Sequence, residues 1–265
     1  MEQACARRFG VKGQLCFLLA VTATLSGTTK TSTAAETPTA TRVAATSEPP
    51  SPAPAAAPAL IELAETQDLP GVVIFPARAS GPRPITVVLH GMCGEPLNTC
   101  SYFAAQVTRT ANLVCPRAGT HCAGGGASWP QSGVARAVAA AVERAKAALP
   151  VPADDTPGRT LIGYSLGAYR ALEIAQASSG EYPRLMLIGA RVSLNQKRLD
   201  QSGVRRVLLS AGRSDMMHDP MQRETERALR SGIQAHFLDL GPVGHFFTPS
   251  FMSYLPVALS WLGAG

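Results

Sequence analysis

Short apolar runs alternate with longer mixed segments from about residue 69 to the end of the chain. The runs are rich in Val, Ile and Leu, which is typical of strands that are covered on both faces. One mixed segment, 134–149, is rich in alanine and stops at Pro150 as a helix would. The alternation predicts an α/β domain with a mostly parallel, doubly wound sheet flanked by helices. The predicted strands are 72–75, 85–89, 113–115, 160–163, 185–189, 204–210 and 235–240, and the predicted helices are 98–109, 134–149, 168–175, 220–231 and 250–262.

The N-terminal segment has the pattern of an export signal. Arg7, Arg8 and Lys12 precede an apolar stretch, 15–25, which is followed by small residues. That stretch is shorter than the roughly 20 apolar residues that cross a bilayer. We expect a signal peptide over 1–27 and no transmembrane segment after its removal. A buried N-terminal helix is the alternative.

The next segment has a composition that is typical of a linker. Residues 31–59 contain 25 Ala, Thr, Ser or Pro among 29. Such a segment buries too little apolar surface to offset the entropy of ordering it. We therefore predict a disordered linker over 28–68 and one folded domain over 69–265.

The charge of the chain gives no reason to expect nucleic acid as a partner. The formal net charge is +6, and residues 1–30 account for +3 of it. The remaining charges are dispersed, and no basic run is interleaved with aromatic residues.

Four cysteines follow the predicted signal peptide. An even number in an exported chain favours two disulfides. The pairs Cys93–Cys100 and Cys115–Cys122 each close a short local loop and are the first expectation. Bridges between these two loops are the alternative, because both loops leave the same edge of the predicted sheet. The spacing lacks the short chelating pairs of a zinc site, so we predict no metal.

A serine motif lies between a predicted strand and a predicted helix. Gly163, Ser165 and Gly167 form a Gly-x-Ser-x-Gly pattern after strand 160–163 and before helix 168–175. A sharp turn at this position presents the serine hydroxyl on a nucleophile elbow. The pattern by itself is common, and its position between strand and helix gives it meaning.

Two further residues complete a candidate triad. Asp215 follows strand 204–210 and His245 follows strand 235–240. Loops at the carboxyl edge of a parallel sheet meet where ligands bind. We predict Ser165 as nucleophile, His245 as general base and acid, and Asp215 as the carboxylate that orients it.

The acid and the base each have alternatives within the chain. Asp219 and Asp239 could replace Asp215 as the acid, although Asp219 is also well placed to cap a helix. The remaining histidines do not follow the last predicted strand, and they are His90, His121, His218 and His236.

A His-Gly turn after strand 85–89 supplies the fourth element. Backbone N–H groups that point at a developing oxyanion stabilise it without solvent reorientation. We predict the amides of Met92 and Leu166 as these donors. His90 and Gly91 begin the turn that carries Met92.

With these motifs, residues 69–265 resemble the α/β-hydrolase superfamily. The matching residues are HGMCG at 90–94, GYSLG at 163–167, Asp215 and His245. The resemblance implies an α/β-hydrolase fold and hydrolysis of esters, thioesters or amides through an acyl-serine, with no cofactor. Only about 190–203 are available for an insertion, so we expect no cap domain. Compact members without a cap include cutinases, acyl-protein thioesterases and secreted esterases.

The substrate is less well defined by the sequence. Tyr164, Trp129, Met216 and Phe246 are candidates for a substrate pocket. A small-molecule or acyl ester is the expected substrate, and the sequence does not give the oligomeric state.

Two other functions compete with an exported esterase, whether secreted, periplasmic or associated with the cell envelope. One is a serine peptidase of the same fold, related to prolyl oligopeptidases, whose usual gating domain does not fit in the first 68 residues. The other is a non-catalytic binding protein that retains the fold, and the intact triad candidates argue against it.

Overall fold

The computed structural model describes residues 59–263, so the predicted signal peptide and most of the predicted linker lie outside the described residues. The predicted fold class is confirmed, because a mostly parallel sheet of eight strands is flanked by helices. The strands are β1 (Ile61–Leu63), β2 (Val72–Phe75), β3 (Ile85–Leu89), β4 (Asn112–Pro116), β5 (Thr120–His121), β6 (Ala127–Ser128), β7 (Thr160–Tyr164), β8 (Arg184–Ile188), β9 (Arg206–Ala211) and β10 (Ala235–Asp239). The helices are α1 (Pro96–Val107), α2 (Val134–Ala148), α3 (Leu166–Ala177), α4 (Gln196–Gln201), α5 (His218–Arg230) and α6 (Phe251–Gly263).

The main sheet has the strand order β1-β2-β4-β3-β7-β8-β9-β10. The strands from β4 to β10 in this order are parallel, whereas β2 is antiparallel to β4 and β1 is antiparallel to β2. β5 and β6 form a separate two-stranded hairpin. The carboxyl ends of β3, β7, β9 and β10 therefore lie along one edge, and the predicted triad residues and oxyanion donors follow these ends.

Burial on both faces explains why the central strands are continuous apolar runs. Every residue of β3 is buried, and so are the first four residues of β7. Helices α1 and α6 pack with one apolar cluster, whereas α2, α3 and α5 pack with the other. The sheet thus separates two cores, which is the layering expected of a doubly wound domain.

The sheet begins earlier than residue 69. Ile61 pairs with Ile74 and Leu63 pairs with Val72, which makes β1 an edge strand inside the range that we predicted as linker. A strand of three residues is too short to show an alternating pattern, so the composition around it dominates the sequence signal.

The predicted disulfide pairs are wrong. The structure pairs Cys93 with Cys122 and Cys100 with Cys115, at Cα–Cα distances of 5.7 Å and 6.4 Å. α1 packs against β4, which brings Cys100 to Cys115 inside the core. Tertiary packing of a helix on a strand therefore overrides the preference for short local loops, and the bridges between the loops are the ones that form.

The segment between β8 and β9 holds only the short helix α4. This confirms the expectation that the described chain carries no cap domain. Over residues 59–263, the helices are too short or too polar to cross a membrane.

Candidate active site

Ser165 lies on a strained turn between β7 and α3. Its backbone has φ 53° and ψ −120°, a conformation that non-glycine residues rarely adopt. Its N–H donates to the carbonyl of Ile188 at 2.8 Å, which anchors the turn to β8. The hydroxyl is thereby held above the carboxyl edge of the sheet.

The glycines that flank Ser165 are required by close backbone approach. A methyl group at Gly163 would meet the carbonyl of Gly167 and the backbone of Ala168. A methyl group at Gly167 would meet the carbonyls at the end of β3. Both positions therefore require glycine for steric reasons, which fits the role of an elbow.

The structure brings Ser165, His245 and Asp215 together in one hydrogen-bonded chain. His245 Nε2 lies 3.0 Å from Ser165 Oγ, and His245 Nδ1 lies 2.7 Å from Asp215 Oδ2. Both distances are within the range for nucleophile–base and base–carboxylate hydrogen bonds. Residues that are 80 apart in the sequence thus meet at a single edge of the sheet.

Asp215 has the environment of an orienting carboxylate. Its side chain is only 3% exposed, and Oδ1 accepts a hydrogen bond from the N–H of Met217 at 2.9 Å. The other oxygen is left for His245. Each carboxylate oxygen therefore has one defined partner, and the direction of the imidazole is fixed.

The alternative acids are occupied elsewhere. Asp219 is exposed and faces His218, with its Oδ1 3.0 Å from Nδ1. Asp239 accepts from Arg213 Nε at 2.6 Å and from the N–H of Gly241 at 2.7 Å.

The other histidines lie away from Ser165. His121 forms an ion-pair contact with Glu65, and His236 stacks on Trp261 at 5.4 Å between ring centroids. Of the described histidines, His245 is the one in contact with Ser165.

Gly189 makes room for the pair of His245 and Asp215. Its φ is +61°, and a methyl group there would lie 2.9 Å from Cε1 of His245 and 3.2 Å from Oδ2 of Asp215. The residue directly after β8 therefore leaves the space that His245 and Asp215 occupy. A glycine at the end of a strand is the sequence signal for this constraint, and Gly189 was not among the predicted site residues.

Tyr164 holds the loop that carries His245. Its hydroxyl donates to the carbonyl of His245 at 2.8 Å, and its ring stacks on the imidazole at 5.3 Å between centroids. Burial, and then the charge of Asp215, raise the pKa of Tyr164 to about 12. The hydroxyl therefore remains a donor at neutral pH. Predicted as a pocket residue, Tyr164 is also a support for His245.

The turn after β3 carries the predicted oxyanion donors. Gly94 N–H donates to the carbonyl of Gly91 at 3.1 Å, which closes the turn around Met92, and Cys93 has a positive φ of 50°. Within residues 59–263, neither the Met92 N–H nor the Leu166 N–H donates to another residue. Both amides are thus available to a ligand, and that of Leu166 lies at the N-terminus of α3.

His90 is a buried support for this turn. Its Nδ1 lies 2.8 Å from the carbonyl of Gly91, and its Nε2 accepts from the N–H of Ala118 at 3.2 Å. Because Nε2 is an acceptor, Nδ1 carries the proton and the ring is neutral. Burial lowers the pKa of His90, which stabilises the same neutral form.

The predicted pocket residues fall into two groups. Trp129 is 4% exposed, and its Nε1 donates to the carbonyl of His90 at 2.8 Å. Its prediction as a pocket residue is corrected, because the indole packs in the core beneath the turn. Met216 and Phe246 are 80% and 61% exposed, next to Asp215 and His245 in the chain. Met92 is likewise exposed, so large apolar side chains border the site.

The arrangement can transfer a proton between a hydroxyl and an imidazole and can bind an anion at two amides. No group of three or more His, Cys, Asp or Glu in residues 59–263 could hold a metal ion.

Solved structures of low sequence identity share this fold. FphF, a fluorophosphonate-binding serine hydrolase of Staphylococcus aureus, aligns with a TM-score of 0.60 and 12% identity over 77% of this chain and 98% of its own. A ferulic acid esterase aligns with a TM-score of 0.58 and 15% identity, over 78% of this chain and 97% of its own. Acyl-protein thioesterase 2 of Zea mays aligns with a TM-score of 0.52 and 17% identity, over 72% of this chain and 99% of its own. At such identities the likeness shows the α/β-hydrolase fold.

No protein-family model and no curated protein matches the chain.

Proposed function

We propose that this protein is a serine hydrolase that cleaves carboxylic esters or thioesters through an acyl-serine intermediate. The observation that carries the proposal is the hydrogen-bonded chain from Ser165 Oγ through His245 to Asp215, with distances of 3.0 Å and 2.7 Å. Its position on a strained elbow, at the carboxyl edge of an α/β-hydrolase sheet, supports the same reading.

The first half of the reaction acylates the serine. His245 Nε2 takes the proton of Ser165 as Oγ attacks the carbonyl carbon, and the carbonyl π electrons move to the oxygen. The amides of Met92 and Leu166 bind the oxyanion that results. Asp215 accepts the Nδ1–H and stabilises the imidazolium. When the tetrahedral intermediate collapses, the imidazolium gives its proton to the leaving alcohol or thiol.

The second half releases the acid. A water molecule gives a proton to His245 Nε2 and attacks the acyl carbon. The second tetrahedral intermediate is held by the same two amides. Collapse returns the proton from His245 to Ser165 Oγ, and the carboxylic acid leaves. No step requires a metal or an organic cofactor.

The surface around Ser165 favours a substrate with an apolar group. The side chains of Met92, Met216 and Phe246 are exposed; Met92 belongs to the proposed oxyanion hole, and Met216 and Phe246 directly follow Asp215 and His245. The side chain of His245 is 41% exposed, and no cap covers it. An ester could place its apolar part on these side chains while the rest extends into solvent. The names of the related structures, ferulic acid esterase and acyl-protein thioesterase, are compatible with such substrates.

We also propose that the protein is exported. The N-terminal sequence has the features of a signal peptide, and the folded domain contains two disulfides, which persist in oxidising compartments.

Active-site labelling tests the proposal. A fluorophosphonate should modify wild-type protein once, at Ser165, and Ser165→Ala should neither be labelled nor hydrolyse a panel of short esters. Ser101→Ala, on the exposed side of α1, is the matched control and should behave like the wild type. A wild type that remains unlabelled and inert would support the binding-protein alternative. Cleavage of peptides in preference to esters would support the peptidase alternative.

A further inference from the structure

The loop that follows β4 is fastened to the turn that carries Met92. We call residues 90–95 the oxyanion turn and residues 117–129 the clamp loop. Cys93 is bonded to Cys122, Ala127 N–H donates to the carbonyl of Gly94 at 3.1 Å, and Trp129 Nε1 donates to the carbonyl of His90 at 2.8 Å. The fastened positions of the turn lie on both sides of Met92.

The ends of the oxyanion turn have additional contacts with the clamp loop. Arg117 donates to both carboxylate oxygens of Glu95, at 3.1 Å and 2.6 Å. The N–H of Ala118 donates to the ring of His90 at 3.2 Å. The turn is therefore bound to one neighbouring loop at four of its six residues, which are His90, Cys93, Gly94 and Glu95.

The clamp loop is hydrogen-bonded within itself where it meets the turn. β5 and β6 form its hairpin, and the hairpin end is closed by hydrogen bonds from Cys122 N–H to Gly126 O at 3.1 Å and from Gly125 N–H to Cys122 O at 3.0 Å. Gly126 packs so closely that a methyl group there would meet the carbonyl of Cys93. The hairpin therefore fits against the backbone of the oxyanion turn without space for a side chain.

The conformation of the turn needs external support. Cys93 has a φ of 50°, in a region that costs a non-glycine residue about 1–2 kcal/mol. A residue in such a conformation persists when its surroundings hold it there. The bond to Cys122 acts on the strained residue directly, and it is adjacent to the amide that we assign to the oxyanion hole.

We propose that the clamp loop positions the Met92 amide for transition-state binding, with Cys93 and Cys122 as positioning residues. The proposal rests on the ester hydrolysis proposed above. An oxyanion donor is effective only if its direction is fixed before charge develops. A loose turn should therefore lower kcat more strongly than it weakens substrate binding.

The second disulfide provides a comparison within the same chain. Cys100 and Cys115 are buried and join α1 to β4 within the core. Neither residue contacts the oxyanion turn through the bonds described above. Loss of the Cys100–Cys115 bond should therefore reduce the stability of the fold and leave the position of the Met92 amide unchanged.

The first experiment compares the two disulfides with p-nitrophenyl butyrate as substrate. C93A/C122A should lower kcat about tenfold or more, with KM within about twofold, because a fully lost oxyanion donor costs about a hundredfold to a thousandfold. Inhibition by a trifluoromethyl ketone, which mimics the tetrahedral intermediate, should weaken in parallel. C100A/C115A should lower Tm and keep kcat and the inhibition constant within about twofold of wild type.

The second experiment leaves both disulfides in place. Gly126→Ala inserts a methyl group against the carbonyl of Cys93, whereas Gly125→Ala has open space around it. Both glycines have a positive φ, at +70° and +92°, so both substitutions introduce backbone strain and only Gly126→Ala adds a close contact. Gly126→Ala should lower kcat about tenfold, and Gly125→Ala should keep it within about twofold.

The outcomes separate this inference from the proposed function. If wild type hydrolyses the ester and both C93A/C122A and Gly126→Ala match their controls in kcat and inhibition, the clamp is only structural and the inference is overturned. If wild type is inert and unlabelled by a fluorophosphonate, the proposed function fails first. If C93A/C122A does not fold, the comparison of Gly126→Ala with Gly125→Ala decides whether the inference holds.

Discussion

The hydroxyl of Tyr164 donates to the carbonyl of His245 at 2.8 Å, while the two rings stack at 5.3 Å. Tyr164 directly precedes Ser165, so the turn that carries Ser165 also holds the loop that carries His245. A shift of the elbow would therefore move both groups together. The ring of Tyr164 is in turn packed against Phe247, at 4.5 Å between centroids, which extends the support along the base loop.

Tyr164→Phe should lower kcat about fivefold. The substitution keeps the stacked ring and removes one hydrogen bond, which contributes about 1 kcal/mol. Tyr169→Phe is a matched control, because its hydroxyl also bonds to the backbone, at the N–H of Arg191, away from His245. Steady-state kinetics and Tm of both variants check the prediction. Equal kcat in the two variants would contradict it.

Asp215→Asn should lower kcat by about four orders of magnitude. The amide cannot stabilise the imidazolium as a carboxylate does, and it favours the wrong tautomer of His245. Asp219→Asn, in the first turn of α5 and facing His218, should retain activity within about twofold. If Asp219→Asn lost activity instead, the assignment of the acid would be wrong.

Gly189→Ala should lower kcat about tenfold or more while the protein remains folded. The added methyl group would lie 2.9 Å from the ring of His245, so the imidazole must move away from its partners. Gly180→Ala introduces similar backbone strain at φ +77° with no atom nearby, and serves as the control. Steady-state kinetics report the displacement of His245, and thermal melts report the backbone strain. Wild-type kcat in Gly189→Ala would show that the close approach is not limiting.

Acid should destabilise the protein partly through His90. Burial lowers its pKa in the folded state below the ordinary 6.5, so the unfolded chain binds the proton more readily. The free energy of unfolding should therefore fall as the pH drops through about 6.5 towards the folded-state pKa, with a slope from this group of at most about 1.4 kcal/mol per pH unit.

His90→Gln measures that contribution. Urea unfolding of wild type and variant at pH 7.5 and 5.5 gives the slope of each. The variant should be less stable at both pH values but should lose less stability between them. Identical pH slopes would show that His90 does not titrate differently on folding.

The location of the three catalytic candidates could be predicted because each one follows a predicted strand in the sequence. A parallel sheet places the carboxyl ends of its strands at one edge, so Ser165, Asp215 and His245 were expected at the same edge once the strands were assigned. Most strand and helix bounds agree with the structure to within two residues, since continuous apolar runs mark buried strands clearly.

Contacts that depend on packing were less predictable. The disulfide pairing depends on α1 lying against β4, and no local pattern around Cys100 indicates which strand its helix covers. Trp129 is large and apolar, and the sequence does not say whether it faces the pocket or the core. Its hydrogen bond to the end of β3 appears only when the clamp loop is placed against the turn.

The supports of the site were missed for the same reason. Gly189 and Tyr164 act through their distance to His245, which a sequence does not contain. Their spacing from Ser165 follows no motif beyond the elbow itself. Residues that react are recognisable from chemistry, whereas residues that hold them are recognisable from geometry.

The disulfides are nested, since the Cys93–Cys122 bond encloses Cys100 and Cys115 in the sequence. When the chain emerges with its N-terminus first into an oxidising environment, Cys93 meets Cys100 before either native partner has appeared. A Cys93–Cys100 bond formed at that stage is mispaired and has to be reshuffled, so we expect the yield of folded protein to increase when a disulfide isomerase is co-produced.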